Sequence, residues 1–94
     1  MNDRTQPDDE LSAEVREAER FVKMSDVELS AWMVGEGLTA AAATVRRFVN
    51  AAFRLDQQSA TRVKPRQQFE DAHLMDMCVK AAERIQNAMP THQY

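Results

Sequence analysis

The chain has 94 residues, a net charge of −3 and a hydrophobic content of 44%. Two glycines, three prolines and a single cysteine are too few for the turns of an all-β fold or for a disulfide-stabilised scaffold. No apolar run is long enough for a transmembrane span or a signal peptide. We therefore expect a helical, cytoplasmic protein that does not bind membranes.

The ends of the chain differ from its middle. Residues 1–8 are polar and show no periodicity, so we expect a disordered N-terminal tail. A single helical domain should then occupy residues 9–90, because a chain of this length forms one core. Pro90 ends the periodic sequence, and residues 91–94 are expected to fray.

Two short helices are expected in the N-terminal part of the domain. Apolar residues recur at helical spacing over residues 11–22, which predicts a first amphipathic helix. Ser25 and Glu28 form a capping-box pattern, in which each side chain accepts a hydrogen bond from the backbone of the other. A second helix should begin there and end near Gly35 and Gly37, because glycine suits the residue that follows a helix.

Two long helices are expected in the remainder, over about residues 40–59 and 66–89. The apolar residues of the first occupy more than one stripe, which indicates that it is buried on several sides. Pro65 suits the first turn of the second. The sequence therefore predicts an all-α bundle in which the two long helices pack antiparallel beside the two shorter helices.

The predicted helix over about residues 40–59 is the third in chain order. It has apolar residues on more of its sides than the other three helices of so short a chain can cover. We therefore predict a symmetric homodimer with this helix at or near its interface. The interface residues predicted on this basis are Val45, Phe48, Val49 and Phe53. Phe48→Asp should then dissociate the dimer, because a buried carboxylate without a partner is costly.

Residues that could carry catalysis are few. Cys78 falls on the apolar stripe of the fourth helix, where a neutral, unreactive thiol is the default. Glu70 and His73 have the spacing found in di-metal carboxylate proteins, but such a site needs a second copy of the motif and two further glutamates. No phosphate-binding loop or nucleophilic triad can be assembled. We expect no enzymatic activity, no metal and no cofactor.

Charge is distributed unevenly along the chain. Residues 1–38 carry a net charge of −6, residues 39–66 carry +5 and residues 67–94 carry −2. Two interpretations remain open. The basic middle complements the acidic flanks within the fold or across a dimer, or it binds an acidic partner, protein or nucleic acid.

One form of the second interpretation is a DNA-binding regulator. A short helix, a glycine-containing turn and an arginine-bearing helix imitate a helix-turn-helix, with the third helix as the recognition helix. The phosphate contacts would come from Arg46, Arg47 and Arg54. Against it stand the negative overall charge and the alanines 40–43, which occupy positions where base-contacting side chains normally lie.

Methionines and aromatic residues form an apolar set that a chain of this size cannot fully bury. Its members are Trp32, Met33, Phe48, Phe53, Phe69, Met75, Met77 and Met89. They fill the core, or part of the set binds another protein. Our candidates for partner binding are Trp32, Met33 and Leu38, beside the glycine break. For Trp32 the alternative, a core residue of the short second helix, stays open.

The layout resembles that of small helical anti-activators of bacterial quorum sensing, which bind and silence LuxR-type transcription factors. The shared features are a short acidic chain, a long apolar helix over 40–59, a basic polar connection over 59–66 and a Met-bearing last helix over 69–90 that ends at proline. The resemblance covers about the last sixty residues and transfers no functional residue. It implies a dimer that inhibits a transcription factor by occlusion. The leading prediction is therefore a non-catalytic protein–protein interaction module, an inhibitor or anti-activator.

Overall fold

A computed structural model describes residues 7–89, and the side chains of residues 11–89. This part of the chain forms four α-helices and contains no strand, which confirms the predicted all-α bundle. The helices are α1 (Pro7–Lys23), α2 (Asp26–Glu36), α3 (Leu38–Ala60) and α4 (Pro65–Ala88).

The ends of the helices follow local signals. The capping box at α2 is formed, with Ser25 N donating to Glu28 Oε1 over 2.9 Å and Glu28 N to Ser25 Oγ over 3.1 Å. Gly37 alone connects α2 to α3 and has φ of 94°, a left-handed value that favours glycine. Because one residue suffices for this turn, α3 begins at Leu38, two residues earlier than predicted.

The predicted termini fall mainly outside the part that the structure describes. Of the expected tail, residues 1–6 are not described, and α1 begins at Pro7. Proline suits the first helical turn because it lacks an N–H that would have no partner there. The four terminal residues 91–94, expected to fray, also lie outside the described residues.

Helices α3 and α4 form an antiparallel hairpin joined by residues 61–64. Near the connection, Gln58 Nε2 donates to Asp71 Oδ1 over 3.3 Å, and Arg62 Nε donates to Asp71 Oδ2 over 3.0 Å. At the other end, Leu38 and Ala88 line the same cleft. The two long helices therefore lie side by side over their whole length.

Helix α1 packs against one side of the hairpin. Helix α2 packs against the end of the hairpin that is formed by the start of α3 and the end of α4. The core contains aromatic and aliphatic side chains together with small residues that let the helices approach closely. It consists of Leu11, Ala18, Phe21, Leu29, Met33, Ala41, Phe48, Ala51, Ala52, Leu55, Cys78, Ala81, Ala82 and Ile85. Phe21 is at its centre, with its ring 5.6 Å from that of Phe48 and 4.6 Å from that of Trp32, both in edge-to-face geometry.

The position of Phe48 corrects one expectation. Phe48 is completely buried within the single chain, so it is a core residue and cannot form an intermolecular seam. Its ring faces α1 because it packs against Phe21. Phe48→Asp would therefore disrupt the fold of the chain rather than separate two folded copies.

Arg84 ties the junction between α1 and α2 to α4. Its Nη1 donates to three backbone carbonyls over 2.6, 3.2 and 2.6 Å, those of Phe21, Val22 and Met24. Its Nη2 donates to Asp26 Oδ1 over 3.0 Å. The last carbonyls of a helix have no partner within it. Arg84 satisfies these carbonyls and places a positive charge at the negative end of the helix dipole.

Candidate protein-interaction surfaces

The chemically reactive candidates lie where they are inert or isolated. Cys78 is fully buried, and burial, together with the nearby charge of Glu14, raises the pKa of its thiol to about 11. It therefore stays protonated at neutral pH. Glu70 and His73 are exposed on α4, and no group of three His, Cys, Asp or Glu side chains within the described residues is placed to hold a metal ion.

None of the helices in residues 7–89 combines the length and the apolarity that a bilayer crossing requires. The exposed apolar residues are instead isolated or grouped on faces of amphipathic helices. They are Val27, Val34, Leu38, Val49, Phe53, Val63, Phe69 and Val79. Six of these eight fall on two surfaces.

The first surface, the hairpin face, lies on the side of α3 and α4 away from α1. It consists of Val45, Val49, Phe53, Met75 and Val79. Val49, Phe53 and Val79 are 50%, 61% and 39% exposed, while Val45 and Met75 are half-buried.

Helical geometry establishes that this face is opposite α1. Arg47 pairs with α1, and Val49 lies about 160° from Arg47 around α3 because each residue turns the helix by about 100°. On α4, Arg84 contacts the end of α1, and Val79 lies about 140° from it by the same arithmetic. Nothing in the described part of the chain covers the hairpin face.

The second surface, the α2 surface, consists of Val27, Val34 and Leu38. Val27 and Val34 are seven residues apart, or about two turns, so they lie on one side of α2. They are 78% and 85% exposed, and Leu38 at the start of α3 is 50% exposed. An open cleft of about 380 Å³ includes Val34 and Leu38 and is lined by Ser30, Met33, Val34, Gly37, Leu38 and Ala88.

The three partner-binding candidates take different positions. Leu38 is half exposed and belongs to the α2 surface. Met33 is only 7% exposed; it belongs to the core and reaches solvent only where it lines the cleft. Trp32 is half-buried against Phe21, which matches its alternative interpretation as a core residue. The structure therefore does not bring the three together as one exposed anchor.

Of the predicted dimer residues, Val45, Val49 and Phe53 share the hairpin face, and Phe48 does not. Met75 and Val79 complete that face but were absent from the prediction. The signal was present in the sequence, since Ala72, Met75, Val79 and Gln86 share one side of a helix at 100° per residue. It was obscured because the core stripe of α4 is also apolar.

The three arginines proposed for DNA do not form one cationic face. Arg47 forms ion pairs with Glu14, over 3.2 Å, and with Glu17. Arg54 lies on the same side of α3 as Arg47, whereas Arg46 lies about 100° away. The pairing of Arg47 is a case of the basic middle complementing the acidic N-terminal segment within the fold.

Comparison with known proteins gives no family for this chain. No protein-family model, no curated protein and no solved structure matches it.

Proposed function

We propose that this chain is a non-catalytic protein-interaction module that binds and occludes another protein through the α2 surface. The observation that carries the proposal is that α2 is apolar on both sides. Leu29 and Met33 face the core, whereas Val27 and Val34 point into solvent. A short helix needs only one apolar side to pack, so the second is available for a partner, and burying it would add about 25 cal/mol per Å².

The charge of α2 defines the partner further. The helix contains Asp26, Glu28 and Glu36 and no basic residue. The complementary surface is an amphipathic helix whose apolar stripe is flanked by Lys or Arg, with apolar side chains entering the cleft beside Leu38.

The concrete form that we propose is an inhibitor, or anti-activator, of a regulatory protein such as a transcription factor. Such a protein uses apolar helices for its own dimerisation, and a helix covered by this chain is unavailable for that purpose. The mechanism is occlusion, so it requires no reactive group on this chain.

The test compares two exposed valines. Val34→Asp should weaken binding to the partner at least tenfold, because it places a carboxylate in the desolvated centre of the contact. Val63, which is 91% exposed in the connection between α3 and α4, supplies the matched control, and Val63→Asp should bind normally. The partner is first identified by capture on the wild-type chain from its native host, and affinities are then measured with the purified protein. Equal affinity of both variants would contradict the α2 surface.

A separate measurement addresses the DNA-binding alternative. That alternative predicts retention on DNA that falls steeply with salt and with removal of Arg46, Arg47 or Arg54. The ion pairs of Arg47 with Glu14 and Glu17 weigh against it, because these carboxylates compete with phosphate for the guanidinium. A gel-shift series at low salt separates the two functions, and we expect no retention.

A further inference from the structure

We infer that a second copy of this chain covers the hairpin face, forming a dimer with a twofold axis parallel to the long helices. In this dimer α3 of each copy lies on α4 of the other, and the four long helices form a bundle. The inference is independent of the proposed function, because the hairpin face and the α2 surface have no residue in common.

The side of the hairpin that carries this face is large enough for a stable dimer. Helices α3 and α4 have 23 and 24 residues, so each is about 35 Å long, and two adjacent helices are about 20 Å wide. The whole side therefore offers about 700 Å² per copy, with the apolar residues of the hairpin face at its centre. Stable protein interfaces bury about 1,200–2,000 Å² in total, and contact along the full length of both helices would reach this range.

The level of each residue along the hairpin follows from one contact. Gln58 and Asp71 are hydrogen-bonded across the hairpin and therefore lie at the same level. Both helices rise equally per residue in opposite directions. Arg46, twelve residues before Gln58, is thus at the level of Glu83, twelve residues after Asp71.

The apolar residues are aligned in the same way. Val49 lies within one residue of the level of Val79, and Phe53 within one residue of the level of Met75. A twofold axis parallel to the helices keeps each level unchanged and exchanges the two helices. Val49 of each copy therefore meets Val79 of the other, and Phe53 meets Met75.

Charge favours the second copy as the occupant and selects this axis. Arg46 and Glu83 are both exposed and border the hairpin face. Arg46 lies on the edge of α3 away from α4, and Glu83 lies on the edge of α4 away from α3. The parallel axis brings Arg46 of each copy to Glu83 of the other, so the face is complementary to itself. A twofold axis perpendicular to the helices, at the level midway between Val49 and Phe53, would instead bring Arg46 of one copy to the level of Asp56 of the other. Asp56 lies about 80° from Arg46 around α3, on the edge of the face next to α4, so the two side chains would not meet.

The first experiment measures molar mass by light scattering at tens of micromolar. We expect twice the 10.7 kDa of one chain for the wild type and a monomer for Phe53→Asp, with its helical circular-dichroism spectrum intact because Phe53 is 61% exposed within one chain. The matched control is Val27→Asp, 78% exposed on α2, which should remain dimeric. A monomeric wild type, or dissociation by Val27→Asp as readily as by Phe53→Asp, would overturn the inference without affecting the α2 surface.

The second experiment tests the axis by charge reversal. Arg46→Glu and Glu83→Arg should each raise the dimer Kd about tenfold at low salt, and the double variant should restore it. No effect of Arg46→Glu on the dimer Kd overturns the pairing. Rescue of Arg46→Glu by Asp56→Arg instead of Glu83→Arg overturns the parallel axis.

Discussion

The two sides of the α3–α4 hairpin are built from the same helices and differ in what covers them. On the inner side, Phe48 and Ile85 are completely buried, and Phe48 packs against Phe21 of α1. On the outer side, Val49, Phe53 and Val79 remain 39–61% exposed. The comparison shows that apolar content alone does not place a residue in the core, because a helix with two apolar stripes buries first the stripe that its own chain can reach.

Polar contacts distinguish the two sides as clearly as packing does. On the inner side, Arg47 reaches Glu14 and Glu17, and Arg84 reaches the carbonyls at the end of α1. On the outer side, the structure records no ion pair for Arg46 or Glu83 within the residues that it describes. Directional contacts therefore fix the side on which α1 packs, since apolar burial has no direction of its own.

The largest expected loss of stability comes from a substitution on the inner side. Phe48→Ala should lower the free energy of unfolding by about 3–5 kcal/mol, the cost of a large core truncation. Phe53→Ala is the matched substitution on the outer side. Urea unfolding followed at several protein concentrations separates them, because only dimerisation makes stability depend on concentration.

For Phe48→Ala we expect a loss of similar size at every concentration. For Phe53→Ala we expect the concentration dependence to fall and the stability of the dilute protein to change by less than about 1 kcal/mol. Equal losses for both variants in dilute solution would show that Phe53 is part of the core of the single chain.

A smaller effect is expected from the polar anchor of the inner side. Arg84→Ala should cost about 2–3 kcal/mol, because it leaves carbonyls at the end of α1 without a charged donor. Lys80, one turn earlier on α4 and exposed, forms an i,i+4 ion pair with Asp76 over 3.3 Å. Lys80→Ala should change stability by less than about 0.5 kcal/mol. Similar melting temperatures for the two variants would contradict the anchoring role of Arg84.

The sequence predicted the helical hairpin well, because periodicity, Pro65 and the glycine break are local signals. It did not separate Phe48 from Phe53. Both occupy apolar positions of one helix, and periodicity identifies a face without saying which neighbour covers it. The covering side depends on contacts distant in sequence, such as Arg84 with Phe21, 63 residues apart.

The candidate surfaces were predicted in part for the same reason. Leu38 and three hairpin-face residues were identified, but Val27 and Val34 were not. Apolar residues occur on both sides of α2, so the sequence could not assign Trp32 and Met33 to the side of this helix that faces the core. The contact of Trp32 with Phe21 connects two helices, and only the folded chain reveals it.

Thiol reactivity should also differ between the two sides at two adjacent residues, Cys78 on the inner side and Val79 on the outer side. Burial and the charge of Glu14 raise the pKa of Cys78 to about 11, so the wild-type thiol should react very slowly with a disulfide reagent at about pH 8. Val79→Cys in a Cys78→Ala background should react readily in dilute solution. Equal reactivity of the two thiols would contradict the difference between the sides.

The same thiol should make stability depend on pH with a defined sign. A raised pKa means that the folded chain holds the Cys78 proton more tightly than the unfolded chain. This stabilisation is complete below the unfolded pKa of about 9 and is lost as pH rises toward about 11, by about 2 kcal/mol. The measured quantity is the difference in unfolding free energy between wild type and Cys78→Ala, because this difference removes the contributions that the two chains share. This difference should fall across that pH range, and a constant difference would mean that Cys78 is accessible to water in the folded chain.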